Sequence, residues 1–144
     1  MTEAKYVAGL YRLWDTLRRR FPKLLIDNCA SGGRRIDIET LRRSIPFFRS
    51  DFQCTWNASP EVLQAHNANI SWWLPYTGCT TKQKDLYSLR SSYSSSWGFA
   101  AFETGGKDLT DAEYATLRKA LSDYRRIRRS FSRNFYNHGS HNLD

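Results

Sequence analysis

The chain has 144 residues, of which 40% are hydrophobic and 15% aromatic, and this length and composition suit one small globular domain. No apolar run approaches the ~20 residues of a membrane helix, and residues 1–10 lack the basic start and apolar stretch of a signal peptide. The net charge of +8 is compatible with nucleic-acid binding, but we place the arginine runs at helix C-terminal ends, and no known nucleic-acid motif accompanies them.

Three cysteines, Cys29, Cys54 and Cys79, are widely spaced and form no Cys-x-x-Cys pair. An odd number of cysteines at such spacings argues against a disulfide framework and against a zinc site. We therefore expect reduced thiols and a cytoplasmic location.

The first elements follow from apolar spacing and from prolines. Residues 3–20 are predicted to form an amphipathic helix, because apolar side chains recur there every three or four residues, and Pro22 ends it. Residues 24–28 read as a short buried strand. After a glycine turn, Asp37 is expected to cap a short helix over residues 38–43.

The middle of the chain is predicted as a second alternation of strand and helix. Pro46 begins a strand that ends at Asp51, and Ser59 with Pro60 starts a helix that runs to about Asn67. Residues 69–74 read as a strand ended by Pro75. Residues 76–95 read as a long loop with helical turns around residues 86–91.

The last strand is expected at residues 97–102, followed by a turn at Gly105 and Gly106 and a long helix capped by Thr110. Strands that alternate with helices favour an α/β fold with a parallel sheet. We assign residues 1–136 to one domain and residues 137–144 to a disordered tail.

Two polar segments follow the first two predicted strands. The first runs from Cys29 through Ser31, Gly32 and Gly33, and the second ends at Asp51. Polar residues at the C-terminal ends of neighbouring parallel strands are typical of the rim of an α/β barrel site. The alternatives are a tight turn with a buried thiol, and an aspartate that caps a turn or pairs with an arginine.

This combined motif resembles that of glycoside hydrolase family 36, the melibiase-type α-galactosidases. In that family a Cys-Ser-x-Gly-Gly-Arg-hydrophobic-Asp segment closes strand five, and a Ser-Asp pair closing strand six supplies the general acid/base. The match runs from Cys29 to Asp51, with Arg34 where the family usually has a third glycine. The family's nucleophile, an aspartate in a Lys-Trp-Asp segment, has no counterpart in this chain.

The resemblance implies a partial (β/α)8 TIM barrel, approximately strands five to eight with flanking helices, from a retaining α-galactosidase. It makes Asp51 the general acid/base and places Cys29, Ser31, Gly32 and Gly33 against an α-galactoside oligosaccharide. No metal or organic cofactor is implied, and neither nucleic acid nor membrane is an expected partner.

A half barrel also implies an incomplete protein. Its open strand edges favour association, so we expect the missing N-terminal half of the barrel, or a second copy of the chain, as partner. Without a nucleophile the isolated chain is expected to be inactive. The alternatives are a fragment of another α-glycosidase, such as an α-N-acetylgalactosaminidase, and a non-catalytic basic module that binds nucleic acid or protein.

Two further expectations concern buried side chains. Strand alternation places Asp27 on the face of Cys29 and Arg49 on the face of Asp51, so Asp27 and Arg49 are predicted to form a buried pair. Trp72, Trp73 and Trp97 are each expected to pack in the core or against a helix rather than on a sugar.

Overall fold

The computed structural model describes residues 2–55, 58–100 and 109–136. The predicted tail at residues 137–144, the glycine turn at residues 105–106 and the end of the last predicted strand lie outside the described residues.

Helix α1 (Thr2–Arg20) confirms the first predicted helix. Glu3 lies in its first turn and three arginines in its last, which suits the helix dipole at both ends. Trp14 is buried, and Arg43 attaches the following segment to the helix. The Arg43 guanidinium pairs with Asp15 at 2.9 Å and lies 4.5 Å from the centre of the Tyr11 ring.

Helix α2 (Ile38–Leu41) is a single turn, shorter than predicted, with Asp37 as the predicted cap. The Asp37 carboxylate accepts hydrogen bonds from the Thr40 hydroxyl at 2.7 Å and the Thr40 amide at 2.9 Å. Both bonds lower the pKa of Asp37 below its ordinary value, and the bond from the Thr40 hydroxyl has the larger effect.

The sheet is parallel. Strands β1 (Gly78–Thr81) and β2 (Ser96–Phe99) pair in register from Gly78 opposite Ser96. Isolated parallel bridges join Asp27 to Ile45 and Phe48 to Gly78. Four extended segments therefore lie side by side in chain order, and the mixed α/β class is confirmed.

The segment at residues 24–28 is not the buried strand that its apolar run predicted. Leu25 is 75% exposed and Leu24 39% exposed, and the strand pairing is a single bridge at Asp27. An apolar run records a preference for burial, whereas the side that is covered depends on the neighbouring elements.

The prediction of a strand at residues 69–74 is wrong. Helix α3 (Pro60–Ile70) starts at the predicted Ser59 cap but continues to Ile70, and residues 71–73 form a turn. The strand lies instead at Gly78–Thr81, inside the predicted loop. Its small polar residues carry little strand signal, and its conformation depends on pairing with β2 and with Phe48.

Two capped helices complete the fold. Helix α4 (Leu86–Ser91) confirms the predicted helical turns, and helix α5 (Asp111–Ile127) begins with the predicted Thr110 in a capping box with Glu113. The ring of Tyr93 lies 5.1 Å from Trp97 and 5.4 Å from Tyr124, centre to centre, so aromatic packing attaches β2 to α5.

The core lies between the helices and the parallel sheet. Its almost fully buried apolar side chains include Leu63 on α3, Cys79 on β1, Leu89 on α4 and Ala120 on α5. Within the described ranges, no helix is both long and apolar enough to span a bilayer.

Candidate functional site

A left-handed turn follows the Asp27–Ile45 bridge. Ser31, Gly32 and Gly33 have φ values of 49°, 58° and 100°, three successive residues in the region that favours glycine. The turn closes with a 3.3 Å hydrogen bond from the Ile36 amide to the Gly33 carbonyl. Ser31 in the turn and Cys29 just before it are both exposed, so both are accessible to a ligand.

The turn packs directly on the segment that carries Asp51. A Cβ atom on Gly32 would lie 2.7 Å from Asp51 Oδ1 and 2.8 Å from the Ser50 carbonyl carbon, and closer still to the Asp51 amide nitrogen. A Cβ atom on Gly33 would lie 2.5 Å from the Arg49 carbonyl oxygen. Real Cβ atoms do not approach so closely, so the contact between the two halves of the motif requires glycine at both positions.

Asp51 is the first residue of a 3-10 helix (Asp51–Cys54) and not, as predicted, the last residue of a strand. Ser50 caps this helix, because its side-chain oxygen accepts a hydrogen bond from the Phe52 amide at 3.2 Å. Asp51 is exposed. Its carboxyl group therefore lies at the surface beside the glycine turn.

Asn28 anchors the turn from beneath and was missed by the sequence reasoning. It is 4% exposed, between the exposed residues Asp27 and Cys29, and its amide donates to Ser44 Oγ at 2.7 Å. Ser44 in turn donates to the Thr40 carbonyl at 2.8 Å. The alternation of a strand was the available signal, since it puts Asn28 opposite the face of Cys29.

The predicted pair of Asp27 and Arg49 does not form. Asp27 is exposed and accepts a hydrogen bond from the Phe47 amide at 3.0 Å. Arg49 is buried and reaches the other way, donating to the Gly78 carbonyl at 2.7 Å and to Asn67 Oδ1 at 2.5 Å. The long arginine side chain thereby connects the Asp51 segment to β1 and α3, a span that strand alternation does not specify.

A groove of about 430 Å³ opens next to Ser50, between this segment and α3. We call it the Arg49 groove, and its lining consists of Arg49, Ser50, His66, Asn69, Ile70 and Trp73.

The predicted packing of the tryptophans is confirmed for one of the three. Trp72 and Trp73 are 63% and 54% exposed, so neither packs in the core, and packing against a helix stays a prediction for both. Trp97 packs against Tyr93 and Tyr124, which confirms the prediction for this residue.

His66 makes stability depend on pH. Burial, and secondly the charge of Arg49, lower its pKa from the ordinary 6.5, because both disfavour the imidazolium. Below pH 6.5 the unfolded chain then binds more protons than the folded chain. The contribution of His66 to folding stability is therefore fully present above pH 6.5 and is lost as the pH falls through the lower pKa of the folded state. We expect the free energy of unfolding, measured by urea titration, to decrease over this range, and less so in His66→Asn. Equal pH dependence in both proteins would contradict this.

No group of three or more histidine, cysteine, aspartate or glutamate side chains in the described part of the chain is arranged to hold a metal ion.

Comparison with known proteins gives one family and several relatives. Residues 1–56 match the melibiase family. An α-galactosidase of Escherichia coli is 45% identical over 67 residues, which cover 39% of this chain and 10% of that protein. α-Galactosidase C of Emericella nidulans is 44% identical over 50 residues, 35% of this chain and 7% of that protein. No solved structure matches the chain.

The chain thus covers a tenth or less of the length of these two relatives. The matched family residues contain the whole Cys29–Asp51 motif. The resemblance to melibiase-type α-galactosidases is confirmed.

Proposed function

Because residues 1–56 match the melibiase family, we propose that this chain is part of the catalytic barrel of a retaining α-galactosidase, approximately strands five to eight. In this proposal Asp51 is the general acid/base, and Cys29, Ser31, Gly32 and Gly33 contact the galactosyl residue. The four extended segments would be consecutive barrel strands. The first two, around Asp27 and around residues 45–48, take part only in isolated bridges, whereas β1 and β2 form a regular ladder.

The contact between the glycine turn and Asp51 is the observation that carries the proposal. The two polar segments follow adjacent parallel extended segments, so they lie at the same edge of the sheet, where barrel active sites are built. Glycine at positions 32 and 33 allows the turn to touch the backbone around Asp51. A sugar placed over the turn would then lie beside an exposed carboxyl group.

The chemistry requires two carboxyl groups. In a retaining glycosidase one protonates the leaving oxygen and later activates water, while the other attacks the anomeric carbon, the two being about 5–5.5 Å apart. Asp51 would perform the first role. Since the chain contains no Lys-Trp-Asp segment, we assign the nucleophile to a further segment of the protein, the N-terminal half of the barrel.

The exposed apolar side chains near the sheet fit such a partner. Leu25, on the extended segment before the glycine turn, is 75% exposed, and Ile38 on α2 is 74% exposed. Covering apolar surface is favourable by about 25 cal/mol per Å². A second half of the barrel, or a second copy of the chain, would supply this cover.

A chimera tests the proposal, because it supplies the missing nucleophile. Residues 24–55 replace the corresponding segment of the E. coli α-galactosidase, whose relationship to this chain is 45% identity over 67 residues. We expect the chimera to hydrolyse an aryl α-galactoside, measured as release of the phenol. The isolated 144-residue chain should show no turnover. A chimera that melts like the parent enzyme yet is inactive would contradict the proposed function.

A further inference from the structure

Arg49 is a buried cation, and its partners among the described residues are all neutral. It is 5% exposed, and its guanidinium donates to the Gly78 carbonyl, to Asn67 Oδ1 and, at 3.4 Å, to Thr77 Oγ1. Its Nε atom is buried and has no hydrogen-bond acceptor among the described residues. The five N–H donors of the charged guanidinium thus have three neutral acceptors among the described residues.

Among the described residues, no negatively charged group lies beside Arg49. No carboxylate there lies within ion-pair distance of Arg49, and Asp27 bonds to the Phe47 amide instead. The Cys79 thiol is nearby, but burial raises its pKa above the ordinary 9.0, so at neutral pH it carries no charge. A buried charge without a partner is costly, and burial accordingly lowers the pKa of Arg49.

The Arg49 groove offers a place for the missing charge. Besides Arg49 its lining has three side chains that can donate hydrogen bonds, those of Ser50, His66 and Asn69, and none of its described lining residues is acidic. Trp73 and Ile70 provide apolar walls. Convergent donors beside a buried cation and an apolar wall are suited to a small oxyanion.

We propose that the Arg49 groove binds a small oxyanion, a group of the sulfate or carboxylate type, which provides the counter-charge that Arg49 lacks. This inference stands on the geometry of Arg49 and its groove and is independent of the proposed glycosidase activity. The anion would enter from the open side lined by the exposed residues Asn69 and Trp73.

Equilibrium dialysis of the full chain with radioactive sulfate tests the proposal, with chloride keeping the ionic strength constant. Two variants remove the site in different ways. Arg49→Met deletes the cation, and Asn69→Asp places a carboxylate at an exposed position of the groove lining, where it supplies the counter-charge internally. We expect wild type to bind sulfate saturably and both variants to bind it at least about tenfold more weakly.

Ser122→Asp is the matched control. It makes the same change of charge in the groove on α5 that is lined by Arg118, Arg125 and Arg126, where sulfate could also collect. We expect Ser122→Asp to bind sulfate as wild type does. Circular dichroism shows which variants fold, and Asn69→Asp keeps the test decisive if Arg49→Met does not. Wild-type affinity in Asn69→Asp, weaker binding in Ser122→Asp alone, or no saturable binding by wild type would each overturn the proposal.

Discussion

Replacing Asp51 by Asn in the chimeric enzyme is expected to lower kcat/KM for phenyl α-galactoside by about 100- to 10,000-fold, the range typical of general acid/base catalysis. An amide of the same shape cannot donate the proton that the phenol needs on leaving. The structure favours a chemical effect over a structural one, because the Asp51 side chain is exposed and Ser50, not Asp51, caps the 3-10 helix.

The leaving group separates the role of acid from that of nucleophile. A dinitrophenyl α-galactoside needs little protonation, so Asp51→Asn should slow the first step of its hydrolysis far less than that of the phenyl substrate. Asp27→Asn is the matched control, since Asp27 is also exposed near the turn and an asparagine retains the oxygen that accepts from the Phe47 amide. Equal losses on both substrates, or equal losses in both variants, would remove Asp51 from the acid role.

Changing Gly33 to Ala is expected to destabilise the chain by about 1–3 kcal/mol, since alanine pays a steric cost at φ 100° that glycine does not. The added Cβ would also meet the Arg49 carbonyl oxygen at 2.5 Å and push the turn off the Asp51 segment. Gly32→Ala should act similarly through the Asp51 amide and the Ser50 carbonyl carbon. Urea unfolding of the 144-residue chain measures both changes.

Gly9 is the control for the glycine substitutions. It lies inside α1, and apart from the adjacent backbone of that helix no described atom lies within 4 Å of a Cβ placed there, so Gly9→Ala should raise stability by about 0.5–1 kcal/mol. In the chimera, Gly32→Ala should also lower kcat, because a displacement of about 1 Å near the reacting groups can cost about 100-fold. Wild-type stability in both Gly32→Ala and Gly33→Ala would mean that the turn does not touch the Asp51 segment.

Local signals determined most of the helices. Asp37, Ser59 and Thr110 were recognisable as caps from the chain alone, and all three accept the expected hydrogen bond from the helix they begin. Helix α1 followed from apolar spacing in the same way. Such features depend on residues within about one helical turn, so the sequence states them without reference to the rest of the molecule.

The sheet shows where local signals fail. Residues 69–74 are rich in apolar and aromatic side chains and were predicted to be a strand, yet they end α3 and form a turn. The small polar residues of β1 were predicted to be a loop. Strand formation here depends on hydrogen bonds to partners at least 18 residues away, from Gly78 to Ser96, and these are decided by the tertiary arrangement.

At the candidate site, the sequence by itself determined which residues are the candidates for catalysis and sugar binding, because the Cys29–Asp51 motif contains every one that was predicted. The tertiary structure decided how they meet. It put the glycine turn on the backbone of Asp51, began a 3-10 helix at that residue, and turned Arg49 away from Asp27 toward β1 and α3. Side-chain reach and close backbone contact depend on elements far apart in the chain, whereas a motif records only residue types and their spacing.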